Sequence, residues 1–287
     1  AVTKLGNTII LDRLSGESIF EYKMRLAPVS KFPGEKTCEY QPFFEIPEPF
    51  SRNIFKKEDI TSRTEADRNY VISQVNKSNF GFFPTHEINK YTITYNINGG
   101  AQWTGGSVDP YKNVLYVSSN QIPYKIMVMG SFDINKNFKY ETNLMKTEML
   151  NGLDGYPGVK PPWGTLTAIN LNNGKIIWQI PLGDHKNLKS YDNETGTLNF
   201  GGPTATASGL IFVGGTLDKL FRAFDSETGK ELWSYKLPYI GSAPPSVYEI
   251  NGEQYIIIPA TGGYSLKQNY PDLVEQGDAF ISFKIKN

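Results

Sequence analysis

The chain has few of the side chains that most often carry out catalysis. Its two histidines, His86 and His185, are too far apart in sequence to show a metal-ligand spacing. The one cysteine, Cys38, permits neither an internal disulfide nor a thiolate metal cluster. The sequence also contains no phosphate-binding glycine loop and no nucleophile elbow. These observations argue against hydrolases and nucleotide-binding enzymes.

Three short clusters combine glycines with aromatic or small polar residues. They read GGAQWTGG at residues 99–106, NFGGP at 199–203 and ATGGY at 260–264. One interpretation is structural, because paired glycines also mark β-bulges and close contacts between sheets. The other interpretation is a binding site, since glycine lets a flat ligand approach the backbone closely. The second interpretation requires a fold that brings these clusters to one place.

A repeated segment identifies the elements that position these clusters. AFDSETGKELW at residues 223–233 matches AINLNNGKIIW at 168–178, and a worn copy, IILDRLSGESIF, lies at 9–20. In each copy two strand-like runs flank a turn that ends in glycine, which favours a β-hairpin. The hairpin glycines Gly174 and Gly229 are 55 residues apart. A period of this length is typical of a β-propeller.

The repeat therefore predicts an all-β fold, a β-propeller of about four to five four-stranded blades in a single domain over residues 1–287. Trp178 and Trp233 close their copies, and we expect both rings to fill the space between neighbouring blades. Two stretches without strand periodicity, about 21–90 and 135–163, are predicted to be insertions of loops and short helices. Such insertions commonly lie over the binding face of a repeat fold.

Composition agrees with this fold and limits the partners. Aromatic residues make up 13% of the chain, and 27 glycines and 18 prolines supply many turns, as in β-rich proteins. The formal net charge is zero, so no electrostatic pattern predicts nucleic acid as a partner. No apolar run reaches the roughly 18 residues of a membrane span, and no signal peptide opens the sequence.

The motifs in their order along the chain resemble those of the pyrroloquinoline quinone (PQQ) dependent dehydrogenases. The similarity runs from about Lys4 to Phe283 and is strongest to the membrane-associated glucose dehydrogenase branch. The motifs that carry it are ILDRLSGE, GEKTCEYQPF, GGAQWTGGSVDPYKNVLYVSSN, PPWGTLTAINLNNGKIIWQIPLG, NFGGPTATASGLIFVGGTLDKLFRAFDSETGKELW and NGEQYIIIPATGG.

The resemblance implies an eight-bladed propeller of which this chain supplies the C-terminal half. It also implies PQQ on the propeller axis with a calcium or magnesium ion, and oxidation of a sugar, polyol or alcohol in the periplasm. Electrons would pass to a membrane quinone or a cytochrome. The catalytic base and the main metal ligands of the family precede the first motif found here, so we expect no catalytic and no metal residue in this chain. The expected partners are a missing N-terminal half or a second copy joined through open propeller ends.

Cofactor-binding residues are carried over only where motifs match. Lys4 of TKLGNTIILDR stands where the family places a lysine or arginine on the quinone oxygens, and such a charge would stabilise the reduced quinone. Asn120 or Ser118 of LYVSSN matches an asparagine presented to PQQ. Trp103 matches a tryptophan of the branch, although packing explains it equally well.

Phe200, with Gly201 and Gly202, matches the residues beside the cofactor plane. Tyr264 follows Gly262 and Gly263 where glucose-type members have histidine, which leaves the substrate open. The alternative function is a noncatalytic propeller module that serves as a binding or assembly scaffold.

Overall fold

The computed structural model describes residues 1–185, 188 and 195–284, and residues 140–144 by their backbone alone. Strands dominate this part of the chain. Two α-helices are present, α1 (Glu65–Val75) and α2 (Tyr264–Asn269), with a short 3₁₀ turn at Lys57–Asp59. The strands are β1 (Lys23–Leu26), β2 (Tyr40–Phe43), β3 (Tyr91–Thr94), β4 (Gly100–Asp109), β5 (Val114–Asn120), β6 (Tyr124–Phe132), β7 (Phe138–Met149), β8 (Gly164–Asn170), β9 (Ile176–Pro181), β10 (Thr204–Ala205), β11 (Leu210–Val213), β12 (Leu220–Asp225), β13 (Glu231–Lys236), β14 (Ser246–Ile250), β15 (Glu253–Ala260) and β16 (Ala279–Lys284).

Three antiparallel sheets follow one another as propeller blades. The first blade has the strand order β4-β5-β8-β9, the second β10-β11-β12-β13 and the third β14-β15-β16. The prediction of an all-β propeller is thus confirmed. Of the five described sheets, two have four strands, two have three and one has two. The worn copy at residues 9–20 forms one isolated bridge, Leu11 to Ser18, rather than a sheet.

The hairpin turns have the chemistry that the repeat predicts. In the second blade one carboxylate oxygen of Asp225 accepts hydrogen bonds from the backbone amides of Glu227 at 3.1 Å and Thr228 at 2.8 Å. Gly229 then adopts φ +71°, a conformation that side chains with a Cβ rarely take. The turn is therefore fixed locally, before any contact between blades.

Aromatic rings pack between neighbouring sheets of the propeller. Trp178 of the first blade covers Gly229, where a Cβ would come within 2.8 Å of the indole, and its Nε1 donates to the Ser226 carbonyl at 3.2 Å. Gly174 of the first blade is covered mainly by Ile46 and Pro47, at 2.5 and 2.9 Å from the position of a Cβ, with the Phe20 ring at 3.4 Å. Trp233 packs edge-on against Phe283 of the third blade. Both tryptophans thus have the packing role that was expected of them.

A second sheet-containing body interrupts the repeat. Strands β6 and β7 pair with β3 in a sheet of their own, and β1 pairs with β2. The chain leaves the first blade directly after Asn120, earlier than the predicted start of an insertion near residue 135. Helix α1, capped by Thr64, packs its buried Val71 and Val75 into the core of this body, around the fully buried Trp163.

No helix in residues 1–185 or 195–284 is both long and apolar enough to cross a membrane.

Candidate functional site

A cavity of about 320 Å³ opens where several strand connections meet at one end of the blades. Its walls come from the N-terminal segment, the start of β4, the connections that precede β10 and β14, and helix α2 after β15. The lining residues are Lys4, Asn98, Gln102, Trp103, Thr104, Phe200, Ser242, Gly263, Tyr264, Ser265 and Leu266. The three glycine and aromatic clusters found in the sequence each contribute to this one cavity.

Lys4 is the cation of the cavity, and its side chain is held from one side. Its Nζ donates to the carbonyl oxygen of Ile97 at 2.6 Å and to Gln102 Oε1 at 3.3 Å. Burial lowers the pKa of Lys4 from its ordinary value, because the charged form loses hydration. The two acceptors favour the charged form, so Lys4 is presented to the cavity as an ammonium group with a fixed direction.

Close backbone packing explains why glycines surround Lys4. Gly100 has φ +59°, and a Cβ there would lie 2.4 Å from the carbonyl oxygen of Lys4. A Cβ on Gly99 would lie 1.7 Å from the carbonyl oxygen of Tyr95. Either substitution would push the loop away from the lysine. At this position the structural interpretation of the glycines is correct, and the close packing serves to place Lys4.

Aromatic rings stand at the rim of the cavity. Trp103 is 94% exposed, because a register shift between Ala101 and Gly106 lifts this part of β4 off its neighbour β5. Tyr264, the first residue of α2, is 69% exposed. Phe200 lines the cavity in a half-buried position. The cavity therefore offers flat apolar surfaces beside one cation, which suits a planar anionic ligand.

Ser118 and Asn120 do not line the cavity. Ser118 is buried, and its hydroxyl donates to the carbonyl oxygen of Gly201. Asn120 is fully buried, and its amide accepts from Asn199 N at 2.8 Å and donates to Asn199 O at 2.8 Å. The predicted role of these two side chains as direct cofactor contacts has no support in their geometry. Both side chains instead hydrogen-bond the segment that contains Phe200 to strand β5 of the first blade.

Gly201 and Gly202 lie in the same segment, directly after Phe200, and they also do not line the cavity. A Cβ on Gly201 would be 2.0 Å from the carbonyl oxygen of Gly214, and one on Gly202 would be 2.7 Å from Thr104 Cβ. Glycine is therefore required for the close approach of backbones, and these residues support Phe200 from behind.

Sequence reasoning missed Gln102, Asn98 and Ser242. Gln102 is buried and bridges Lys4 to the Asn98 carbonyl oxygen, to which its Nε2 donates at 2.7 Å. Glutamine at this position carries no chemical pattern of its own. Its location inside GGAQWTGG was the one available signal.

The histidines lie elsewhere. Neither His86 nor His185 lines the cavity that contains Lys4. His185 packs edge-on against the rings of Tyr156 and Trp163, and burial lowers its pKa to about 4. Within the described residues, no three His, Cys, Asp or Glu side chains gather in a way that could hold a metal ion.

Comparison with known proteins places the fold. A model of the PQQ glucose/ethanol/alcohol dehydrogenase β-propeller domain matches residues 1–256. A europium-containing methanol dehydrogenase superimposes with a TM-score of 0.53 over 94% of this chain and 38% of its own, at 19% sequence identity. At that identity the superposition supports the propeller fold alone.

Curated relatives agree in family and differ in substrate. The large subunit of glycerol dehydrogenase from Gluconobacter thailandicus is 33% identical over 91% of this chain and 40% of its own length. The quinate/shikimate dehydrogenase (quinone) of Acinetobacter baylyi is 27% identical over 99% of this chain and 38% of its length. The quinoprotein glucose dehydrogenase of Escherichia coli is 24% identical over 96% and 37%. The chain thus spans about two fifths of these relatives, and it belongs to the PQQ-dependent glucose/ethanol/alcohol dehydrogenase family through its β-propeller domain.

Proposed function

We propose that this chain forms the Lys4 side of the active site in a PQQ-dependent dehydrogenase that oxidises a hydroxyl group of a sugar, polyol or alcohol. The observation that carries the proposal is the directed ammonium group of Lys4 in a cavity with aromatic walls. The family membership of the chain supplies the cofactor class.

The residues of the cavity fit PQQ in their chemistry. PQQ is a planar quinone with carboxylate groups, so it needs cations, hydrogen-bond donors and flat apolar contacts. Lys4 supplies the cation, Gln102, Thr104 and Ser242 supply polar groups, and Phe200 and Trp103 supply flat rings. Each of these lies on the wall of one cavity.

Each side chain has a separate task in the proposed reaction. A bound PQQ would supply the hydride acceptor for the hydroxyl-bearing carbon of the substrate. Lys4 would provide a positive charge that stabilises the reduced cofactor, and its two protein acceptors, the Ile97 carbonyl oxygen and Gln102 Oε1, would hold that charge in place before the cofactor binds. Phe200 and Trp103 would hold the plane of the cofactor and exclude water from it.

Other parts of the reaction fall outside this chain in our proposal. The base that takes the hydroxyl proton, and the ligands of a calcium or magnesium ion, would come from the region that precedes Ala1 in the relatives. That region, or a second copy of this chain, would be the main protein partner. Electrons would leave to a membrane quinone or a cytochrome in the periplasm. A quinone acceptor agrees with the name of the quinate/shikimate dehydrogenase (quinone) relative.

The substrate class is proposed as a sugar or polyol. Tyr264 offers an exposed ring and a hydroxyl at the rim, and such aromatic surfaces suit the mixed apolar and polar faces of polyhydroxyl compounds. The relatives act on glycerol, quinate or shikimate, and glucose according to their names, so a polyol range is favoured over a single sugar.

Reconstitution with PQQ tests this function. The chain, joined to the region that precedes it in its relatives, is incubated with PQQ and Ca²⁺ or Mg²⁺ and supplied with aldoses, polyols and primary alcohols. We expect reduction of an artificial electron acceptor that depends on added PQQ. If PQQ does not bind and none of these substrates reduces the dye, the chain is a noncatalytic scaffold rather than part of a dehydrogenase.

A further inference from the structure

An unbroken chain of hydrogen bonds runs behind the cavity from Lys4 to helix α2. Lys4 Nζ donates to Gln102 Oε1 at 3.3 Å, and Gln102 Nε2 donates to the Asn98 carbonyl oxygen at 2.7 Å. The side chain of Asn98 donates from Nδ2 to the hydroxyl of Tyr124 at 2.8 Å. The Tyr124 hydroxyl donates to Asn269 Oδ1 at 2.9 Å.

The last link returns to the wall of the cavity. Asn269 Nδ2 donates to the carbonyl oxygen of Ser265 at 2.7 Å, within α2. Ser265 and its neighbours Tyr264 and Leu266 line the cavity opposite the loop that holds Lys4. The chain therefore connects the cationic wall of the cavity with its helical wall.

Tyr124 is the residue through which these two walls are joined. It is the first residue of β6, a strand of the inserted sheet, and only 2% of it is exposed. Its hydroxyl accepts one hydrogen bond and donates another, so both of its partners are satisfied by one atom. Burial raises the pKa of Tyr124, which keeps its proton available for Asn269.

We propose that Tyr124 is a positioning residue, which fixes the loop holding Lys4 relative to helix α2 and so sets the direction of the Lys4 ammonium and the position of Tyr264. The inserted strand β6 then contributes to the cavity, since its Tyr124 brings a buried hydroxyl to both Asn98 and Asn269. The use of this geometry for PQQ rests on the proposed function; the coupling of Lys4 to α2 does not.

Tyr124 would matter for binding because it helps to hold the Lys4 ammonium in place before a ligand binds. A cation that is held in one place by buried partners stabilises developing charge without reorganisation, whereas a mobile lysine must first be ordered. Without the Tyr124 hydroxyl, Asn98 Nδ2 and Asn269 Oδ1 would each lose this partner at a half-buried position, and both would turn toward water. The loop of residues 96–102 would then loosen, and Lys4 with it.

Two variants break the chain at neighbouring links. Tyr124→Phe removes the hydroxyl and keeps the ring, and Asn269→Ala removes the next partner while leaving Tyr124 in place. Tyr116→Phe is the matched control, because Tyr116 is equally buried but packs against Trp178 between blades. Urea unfolding of all three proteins verifies that each is folded.

The direct readout is the rate at which Lys4 is acylated by acetic anhydride, measured by mass spectrometry against the exposed Lys230 of the same molecule. We expect Lys4 to react about three- to tenfold faster in Tyr124→Phe and in Asn269→Ala, and at the parent rate in Tyr116→Phe. In the PQQ-loaded joined protein, both variants should also lower turnover more than substrate affinity.

The outcomes separate this inference from the proposed function. Parent-like acylation of Lys4 in both folded variants would overturn the coupling, whatever the protein does with PQQ. Failure of PQQ to bind the parent protein would overturn the proposed function and leave the acylation result as the measure of the coupling.

Discussion

Lys4 is the residue on which the proposed chemistry depends most. Its ammonium lies in the cavity that contains Phe200 and Trp103, and it is held by the Ile97 carbonyl oxygen and Gln102. Removing one charge-stabilising donor from an active site commonly lowers turnover by a factor of about 100 to 1,000. Losing the two hydrogen bonds of Lys4 costs about 1 to 3 kcal/mol of folding stability, at about 0.5 to 1.5 kcal/mol for each bond.

We therefore expect Lys4→Ala in the reconstituted joined enzyme to lower kcat by about 100-fold with a small change in the urea midpoint. Lys4→Arg keeps the charge and should retain more activity than Lys4→Ala, and Lys230→Ala should behave as the parent. Equal kcat in Lys4→Ala and the parent would show that Lys4 is an ordinary partly buried lysine.

His185 gives the fold a predictable response to acid. Its pKa is lowered by burial from 6.5 to about 4, and the nearby Asp218 offsets this only in part. Between these two values the unfolded chain binds a proton that the folded protein does not. The stability is therefore complete above pH 6.5 and falls as the pH drops toward 4, by about 2 to 3 kcal/mol at pH 4.5.

Urea unfolding at pH 7.5 and 4.5 measures this loss. His185→Phe should remove most of the difference between the two pH values, while His86→Phe should leave most of it in place. An unchanged difference in His185→Phe would mean that other groups cause the acid sensitivity.

Among the residues, Trp103 and Phe200 could be predicted as neighbours because each lies in a glycine and aromatic cluster, whereas Lys4 was added by the resemblance to the family. It could not distinguish a side chain that faces the cavity from one that faces the next blade. Ser118 and Asn120 are polar residues on a strand whose residues are all buried, and only the packing of the first blade on the segment before β10 decides where they point.

The hairpin of the second blade shows how local turn chemistry becomes contact between elements. Gly229 has φ +71°, and the Trp178 ring lies over it. An alanine there would be strained in its backbone, by about 1 to 2 kcal/mol, and would also press a Cβ into the indole. Overpacking of that kind adds roughly 1 to 3 kcal/mol.

Gly229→Ala should therefore lower the free energy of unfolding by about 2 to 5 kcal/mol. Gly16→Ala is the matched control, because Gly16 has φ +75° and no atom within 4 Å of its Cβ position. The control should show the backbone strain alone. Equal losses in the two variants would mean that the contact with Trp178 contributes nothing.

Among the elements, the repeated hairpins were predictable because turn, glycine and tryptophan lie close together in sequence. The inserted sheet of β3, β6 and β7 was not, since β3 pairs with β6 across the intervening strands β4 and β5. The turn between β6 and β7, where Asp133 Oδ1 accepts from the amides of Asn135 and Asn137, is local but does not identify β3 as the partner. The start of the excursion was misplaced for the same reason. The sequence of β6 has the same strand-forming residues as a blade strand, and no local sequence pattern indicates that it pairs outside the blade.

At the scale of the whole molecule, the third blade has an outer face without a neighbour among the described residues. The register of β14, β15 and β16 places Tyr248, Ile250 and Phe280 on one face, with exposed fractions of 37, 52 and 70%. The opposite face carries Ile256 and Ile258, which pack against the second blade. Exposed apolar faces of this kind drive association.

The 287-residue chain by itself is thus expected to associate at micromolar concentration, which light scattering measures as a mass above that of one chain. Phe280→Lys should reduce the association, and Tyr111→Lys, at an exposed turn between β4 and β5, should leave it unchanged. A soluble monomer that binds no apolar dye would contradict the assignment of this face as an interface. The sequence could predict such a face from the repeat, but not its residues, because the strand register decides them.

A structure of the joined protein determined with bound PQQ would show whether this chain presents Lys4 to the cofactor. We expect the quinone edge of PQQ within hydrogen-bond distance of Lys4 Nζ, with the rings of Phe200 and Trp103 beside the cofactor plane. PQQ bound away from Lys4, with the lysine still turned to Ile97 and Gln102 alone, would contradict it.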